Sequence, residues 1–322
     1  MNAGAWPELP YSPWQWSCSA LHLYAQVVGK YALAHTPWLN HSWHATLHVT
    51  PRGLTTALVP DGGGIQVLLD LQEHVVRVHN PHASHSIALQ SRSVADFYRR
   101  FCDAVASVGG TPEFDRLPNE LPDPVRFDED HADRPYNADA VARFHRALVT
   151  VSLVFQRFRT GFLGKVTPVH LFWGSFDLAV TRFSGRRAPL HPGGIPHLPD
   201  EVAREAYSHE VCSAGFWPGT AGALEEPAFY SYAYPEPDGY RLARVLPDQA
   251  YFHETLGEFI LPYDVVRRSE DPEARLMDFL QSSYDAAADL GAWDRSALDC
   301  PTGEPLRPRP INPPRNGEGD RA

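Results

Sequence analysis

Lysine is almost missing from this chain: Lys30 and Lys165 stand against twenty-six arginines in 322 residues. Cysteine is nearly as sparse. Cys18, Cys102, Cys212 and Cys300 are scattered singly with no Cys-x-x-Cys pair, which argues against a zinc knuckle and against a disulfide framework. No apolar run approaches the ~18 residues that a membrane-spanning helix needs. The first residues lack the basic and apolar regions of a secretory leader, so the expected compartment is the cytoplasm. Positive charge is in deficit, with a net charge of -11. That balance excludes nucleic acid as a partner and leaves no polybasic patch for a membrane surface. Phosphate-loop and dinucleotide fingerprints are absent too, since Gly62-Gly63-Gly64 precedes no helix start and no Lys-Ser/Thr.

What remains is the composition of a globular protein, 43% hydrophobic and 11% aromatic, long enough to bury a large core. Apolar residues at helical spacing predict helices over Ser19–Leu33, Ser93–Val108 and from Val141 past Phe158, and a last one from Pro272 to Leu290. Between them, alternating stretches predict strands at Trp43–Thr50, Leu54–Val59, Ile65–Leu71 and Val75–His79. A second set follows at Val169–Phe176, Leu178–Phe183, Glu205–Ser213 and Phe229–Tyr234.

The two halves share a plan. Lys30 and Lys165 each follow a glycine at the end of a helical pattern, and each precedes a histidine-bearing strand, with His44 in the first half and His170 in the second. The closing helices align at a constant offset of 182 residues, where Asp96-Phe97, Asp103-Ala104, Ala106 and Gly109 match Asp278-Phe279, Asp285-Ala286, Ala288 and Gly291. The expected fold is therefore α+β: two related helix–antiparallel meander–helix units, 1–117 and 136–300, packed as one globule. Residues 118–135 would form an acidic, solvated linker and 301–322 a disordered, Pro- and Arg-rich tail.

Candidate chemistry concentrates in the second half. In Val169–Phe183, Gly174 would mark a bulge that brings His170 and Asp177 to one face, where the carboxylate orients the imidazole as a general base. His209 or Glu210 would supply a second proton-transfer group, and Lys165 would stabilise negative charge. Lys30, His44, Arg182, Trp173, Trp217 and Tyr232 would bind the substrate, with Tyr230, Tyr232 and Tyr234 sharing one strand face. Lysine is kept here where arginine serves elsewhere, which suits a compact amine whose pKa falls on burial, although a helix-capping cation explains it equally. Sixteen histidines also admit a metal held by His41, His44, His48 or His170, but neither His-Glu-x-x-His nor a zinc-type spacing is present. Gly-x-Ser-x-Gly is absent as well, so Ser208 is a weak nucleophile candidate, as is Cys212.

These blocks carry a resemblance. Asn40-His41-Ser42-Trp43-His44, Arg52-Gly53-Leu54-Thr55-Thr56, Pro118-Asn119-Glu120, His170–Gly185, His191-Pro192-Gly193-Gly194, Tyr207-Ser208-His209-Glu210, Gly215–Gly219 and Leu256-Gly257-Glu258-Phe259 resemble an uncharacterised bacterial family, domain of unknown function 5996, from about Trp6 to Leu298. The resemblance implies no activity. It implies that Ser is usual where Cys212 stands and an aromatic residue where His48 stands, which weakens a thiol nucleophile and a His44/His48 metal pair. The expected function is an enzyme acting on a small polar or anionic metabolite by His/carboxylate chemistry in a cleft between the halves, with no cofactor required. The alternatives are a non-catalytic binding or regulatory protein and a metal-dependent hydrolase or oxygenase. The sequence assigns no oligomeric state.

Overall fold

The computed structural model describes residues 6–220, 222 and 224–309. The first half runs from α1 (Tyr11–His35) through β1 (His48–Thr50), β2 (Gly53–Thr55), β3 (Gln66–Asp70), β4 (Val75–His79) and β5 (Ser84–Ala88) to α2 (Val94–Ser107). The second half opens with α3 (Ala138–Arg159), β6 (His170–Phe172), β7 (Asp177–Arg187), α4 (Asp200–Ala206), β8 (His209–Trp217) and β9 (Ala228–Tyr234). It closes with β10 (Tyr251–His253), β11 (Glu258–Pro262), α5 (Tyr263–Arg267), α6 (Pro272–Leu290) and α7 (Arg295–Leu298). The class is α+β, with two antiparallel sheets ordered β1-β2-β3-β4-β5 and β10-β11-β9-β8-β7-β6.

The sheets meet at one point. Leu47 and Leu171 exchange both backbone hydrogen bonds, at 2.9 and 2.7 Å, just outside β1 and inside β6. The cores are continuous too, since Leu69, Val76 and Phe97 of the first half join Val151, Leu171 and Phe279 of the second in one apolar cluster. α1 is apolar nearly all round, which is the signature of a helix buried between other elements. Even its polar Gln26 and Lys30 are buried.

The large sheet has two unlike faces. Because side chains alternate along a strand, Leu178, Val180 and Arg182 of β7 point one way, together with Ala214 and Phe216 of β8 and Phe229 of β9. This face packs on α3, α5 and α6: Arg182 lies over Phe158 and Tyr284, and Phe216 and Phe229 meet Tyr263. The other face carries Asp177, Ala179, Thr181 and Phe183 and faces the cavity described below.

Several sequence expectations are corrected. Trp43–Thr50 is not one strand: a 3-10 turn at Asn40–Ser42, with His41 and Ser42 at φ 57° and 58°, leads into turn residues Trp43, His44 and Ala45. Pairing starts with the Leu47–Leu171 bridge and continues in β1 from His48. The segment expected as a strand over Glu205–Ser213 is the end of α4 followed by β8. β5 is an addition; its alternation is hidden because only Ile87 is buried. Gly174 sits in a hairpin turn between β6 and β7, closed by Phe176 N–H to Phe172 O at 2.8 Å, not in a bulge. Lys30 lies inside α1 and Lys165 in an extended segment beyond α3, so neither ends a helix and their parallel placement lapses.

The stretch 118–135 holds no helix or strand, yet it is no free linker. Phe127 and Asn119 are buried, and buried Asp130 pairs with Arg134 at 2.6 Å. At the other end, Gly303 N–H bonds Thr160 Oγ1 at 2.9 Å and Arg309 donates to Thr160 O, while 304–309 are exposed; residues 310–322 lie outside the described ones. Among the described residues no helix is long and apolar enough to cross a membrane.

Candidate functional site

A cavity of about 660 Å³ lies on the face of the large sheet that α3 and α6 leave uncovered. Its floor is β7, β8, β9 and the start of β11. The C-terminal half of α1, the 3-10 turn at His41, the Asn119-Glu120 segment and the chain from Ile195 through α4 enclose it. The volume falls within the range of small-molecule sites.

Three carboxyl groups line one wall, where the charge of Asp177 acts on both Glu120 and Glu258. Asp177 opens β7 opposite Phe172 and accepts hydrogen bonds from the Ser175 and Tyr230 hydroxyls. The Tyr230 ring reaches it by lying across the sheet over Gly215, its partner in the register, where any Cβ would come within 2.3 Å of the ring. Glu258 begins β11 one position before the Phe259–Ser231 pair, which places it beside Tyr232 on the same face. Its Oε2 is buried with no hydrogen-bond partner among the described residues.

Glu120 arrives from the irregular segment. Buried Gln26 of α1 grips Asn119 by both main-chain groups: it accepts from the N–H at 2.8 Å and donates to the oxygen at 2.9 Å. Glu120 then turns inward at φ 61°, and its carboxyl lies against Gly174, where a Cβ would meet Oε1 at 2.0 Å. His22 holds the other side of that turn through Gly174 O at 2.9 Å. One helix thus fixes two distant segments, and only glycine at 174 leaves room for the acid.

No Lys, Arg or His among the described residues offsets these acids. Burial, followed by the charge of Asp177, pushes Glu120 up to about 7 and Glu258 up to about 8. Burial also raises Asp177, against the lowering effect of its two hydroxyl donors. Three carboxyls in one poorly solvated wall without a cation cannot all ionise cheaply, and their titrations are coupled. Around them stand Trp217, 4.6 Å from the Tyr230 ring, and Tyr207, whose hydroxyl is 2.8 Å from that of Tyr232.

Basic groups collect elsewhere on the cavity. His41 donates Nδ1–H to Ala206 O at 2.8 Å and accepts at Nε2 from Lys165 Nζ at 2.5 Å, so the imidazole is neutral. Burial lowers its pKa first, and the Lys165 charge lowers it further. Lys165 itself is exposed, with its amine 4.6 Å from the Phe183 ring, and partial burial lowers its pKa. Lys30 is paired with Asp115 at 2.5 Å.

The residues singled out from sequence divide accordingly. Asp177, Trp173, Trp217, Tyr232 and Lys30 line the cavity. His170 does not. Register puts it on the same sheet face as Asp177, opposite Ala179, but it is fully buried and its Nδ1 lies 3.2 Å from Thr46 Oγ1. Burial, with the charges of His48 and Arg159, lowers its pKa to about 3, so the His170–Asp177 dyad is not formed. His44 is buried, accepting from Leu39 N–H at 3.2 Å, and is not in the lining. Arg182 is on the helix-packed face. Glu210 is bound outside the cavity by Arg186 at 2.7 Å and Ser184 at 2.7 Å. His209 contacts Ser208, with its ring 6.5 Å from that of His41. Cys212 is buried and its thiol is pushed up to about 12 by burial. The histidine metal cluster is not assembled: among the described residues no group of three His, Cys, Asp or Glu side chains is placed to hold an ion.

Glu120 and Glu258 escaped the sequence reading as site residues. The available signal was their presence in two of the blocks that carry the family resemblance.

Residues 6–300 match a family described as "Family of unknown function (DUF5996)", and the chain belongs to it. Neither the curated proteins nor the solved structures contain a match.

Proposed function

We propose that this member of the family is an enzyme that moves a proton on a small molecule held in the cavity, with carboxyl groups as both acid and base. The observation that carries the reading is the presence of Asp177, Glu120 and Glu258, without a cation, in the wall of one aromatic-lined cavity. Asp177 accepts from two hydroxyls, which offset part of the rise that burial imposes on it. Glu258 keeps its proton near neutrality and acts as the acid, while Glu120, up to about 7, is poised to give or take one. A catalytic acid–base group works best with a pKa near the working pH. The imidazole mechanism expected from sequence gives way to this one because His170 has no path to the cavity.

A desolvated carboxylate base can be assayed with 5-nitrobenzisoxazole. Removal of its C3 proton forms a nitrile, breaks the N–O bond and releases a coloured nitrophenolate. Ring opening should exceed that by free carboxylate, and should fall by about 100-fold or more in Glu120→Gln/Glu258→Gln, within the usual worth of a positioned base. Equal rates in the parent and the double variant would overturn the reading. The four cysteines are free thiols, which supports a reducing compartment such as the cytoplasm. The common order of helix, meander and helix in both halves supports an origin by duplication.

A further inference from the structure

We propose that the ligand of this cavity is an organic cation, a protonated amine on an apolar or aromatic body, its ammonium facing the wall of Glu120, Asp177 and Glu258 and its body against Trp217, Tyr230 and Tyr232. The inference rests on the reading of this cavity as the working site and names the charge of what enters it.

Four observations carry it. The acid wall contains no positive group. The lining's other basic groups are Lys30, engaged by Asp115 at 2.5 Å, His41, engaged by the Ala206 carbonyl and the Lys165 amine, and His197, next to the Pro196 carbonyl that accepts from Glu120 N–H at 2.9 Å. Glu258, which lines the cavity, has no donor on its Oε2 among the described residues, and a carboxylate short of donors is costly unless something supplies an N–H. Lastly, the rings of Trp217 and Tyr230 lie 4.6 Å apart, and Tyr232 stacks on Tyr230 at 6.1 Å. Ring faces attract an ammonium and give nothing to a carboxylate or phosphate. An anion at this wall would meet three acids.

The groups facing the acids from each packed element are Ser175 and Asp177 of the β6–β7 hairpin, Trp217 of β8, Tyr230 and Tyr232 of β9, and Tyr207 beyond α4. None of these gains positive charge. His22 of α1, bound to Gly174 O at 2.9 Å beside Glu120, is lowered to about 4 by burial and stays neutral from pH 6 to 8. His197 is the remaining histidine near Glu120 in the lining. Binding of an ammonium favours ionised carboxyls, so it expels protons that Glu120 and Glu258 hold near pH 7. Affinity therefore rises with pH from 6 to 8, for as long as the amine stays protonated.

Calorimetry on the full chain with benzylamine, benzyl alcohol and benzoate tests this. Benzylamine should bind about tenfold or more tighter than the alcohol, the energy scale of a desolvated cation–π contact, and benzoate should not bind. Benzylamine should also release protons to the buffer and bind more tightly at pH 8 than at pH 6. Glu120→Gln/Glu258→Gln should lose the amine preference yet keep the affinity for benzyl alcohol, which shows an intact cavity. The proposal is overturned if the alcohol or benzoate equals the amine, if none of the three binds at millimolar concentration, or if the double variant keeps the preference. Because 5-nitrobenzisoxazole is neutral, its ring opening without amine binding sinks this inference alone. Amine binding without ring opening sinks the catalytic reading and leaves a cation-binding protein.

Discussion

The two faces of the large sheet each bury charge, and they deal with it in opposite ways. On the helix-packed face, Arg182 lies 1% exposed with no carboxylate in contact and with Nε and Nη1 unpartnered among the described residues. Its guanidinium is sandwiched by the Phe158 ring at 3.5 Å and the Tyr284 ring at 4.3 Å, and it donates Nη2–H to Phe158 O at 2.6 Å. Burial draws it down to about 10, so it remains charged at neutral pH. The protein has closed around this cation. One strand position away, Thr181 points into the cavity, where three acids have neither cation nor full hydrogen bonding. A buried charge without compensation is expensive in either place. On one face aromatic rings from α3 and α6 supply the compensation; on the other, space is kept where a ligand can supply it.

That contrast can be broken from either side. Arg182→Ala should cause the largest loss, about 3 kcal/mol of unfolding free energy, because it empties a fully packed volume, while benzylamine binding stays unchanged. Arg182→Met should stay within about 1 kcal/mol of the parent, since replacing a buried ion by an apolar chain of similar volume is close to neutral. Denaturant titration of both variants measures this, and a loss of amine binding in either would mean that the faces are not independent.

Glu258→Gln sharpens the other side. A carboxyl whose folded pKa is raised binds protons more tightly folded than unfolded, so stability falls as pH rises from about 4.5 to about 8. The variant should be more stable than the parent at pH 9 by about 5 kcal/mol and within about 1 kcal/mol of it at pH 5, on the scale of 1.36 kcal/mol per pH unit. Melting curves at the two pH values decide it, and a variant less stable at pH 9 would show that Glu258 has a cationic partner after all. Gly215→Ala should cost about 1–2 kcal/mol by crowding Tyr230. It should also shift the pH profile of ring opening, because Asp177 loses a hydroxyl donor. The smallest effect is expected for Lys165→Arg, within about 0.5 kcal/mol as for an exposed position and with turnover unchanged; a large loss of turnover would restore a chemical role to that amine.

Much of the fold was legible because its signals are local. The stripe from Val141 to Phe158, the proline that opens α6 and the alternation of Val75–His79 each state their structure within a few turns. The failures were equally physical. Trp43, His44 and Ala45 continue the turn that His41 and Ser42 begin at positive φ, although they open a stretch that alternates like a strand, and β5 exposes nearly all its side chains. For the site, His170 and Asp177 were paired by proximity along the chain, whereas the structure pairs Asp177 with Tyr230, 53 residues away, and packs His170 against Thr46. A lone glutamate in Pro-Asn-Glu or Gly-Glu-Phe reads as surface. Only the folded chain shows that Gln26 turns one inward and that β11 sets the other beside Tyr232.

The grip of Gln26 on Asn119 has a further consequence. The acid wall draws Asp177 and Glu258 from the C-terminal half, Glu120 from the stretch between the halves, and the residue that aims Glu120 from the N-terminal helix. Neither half carries the whole wall by itself, so a fragment cut within 108–137 would lose either Glu120 or the helix that aims it. Occupancy of the cavity would then report that the entire polypeptide has been correctly assembled.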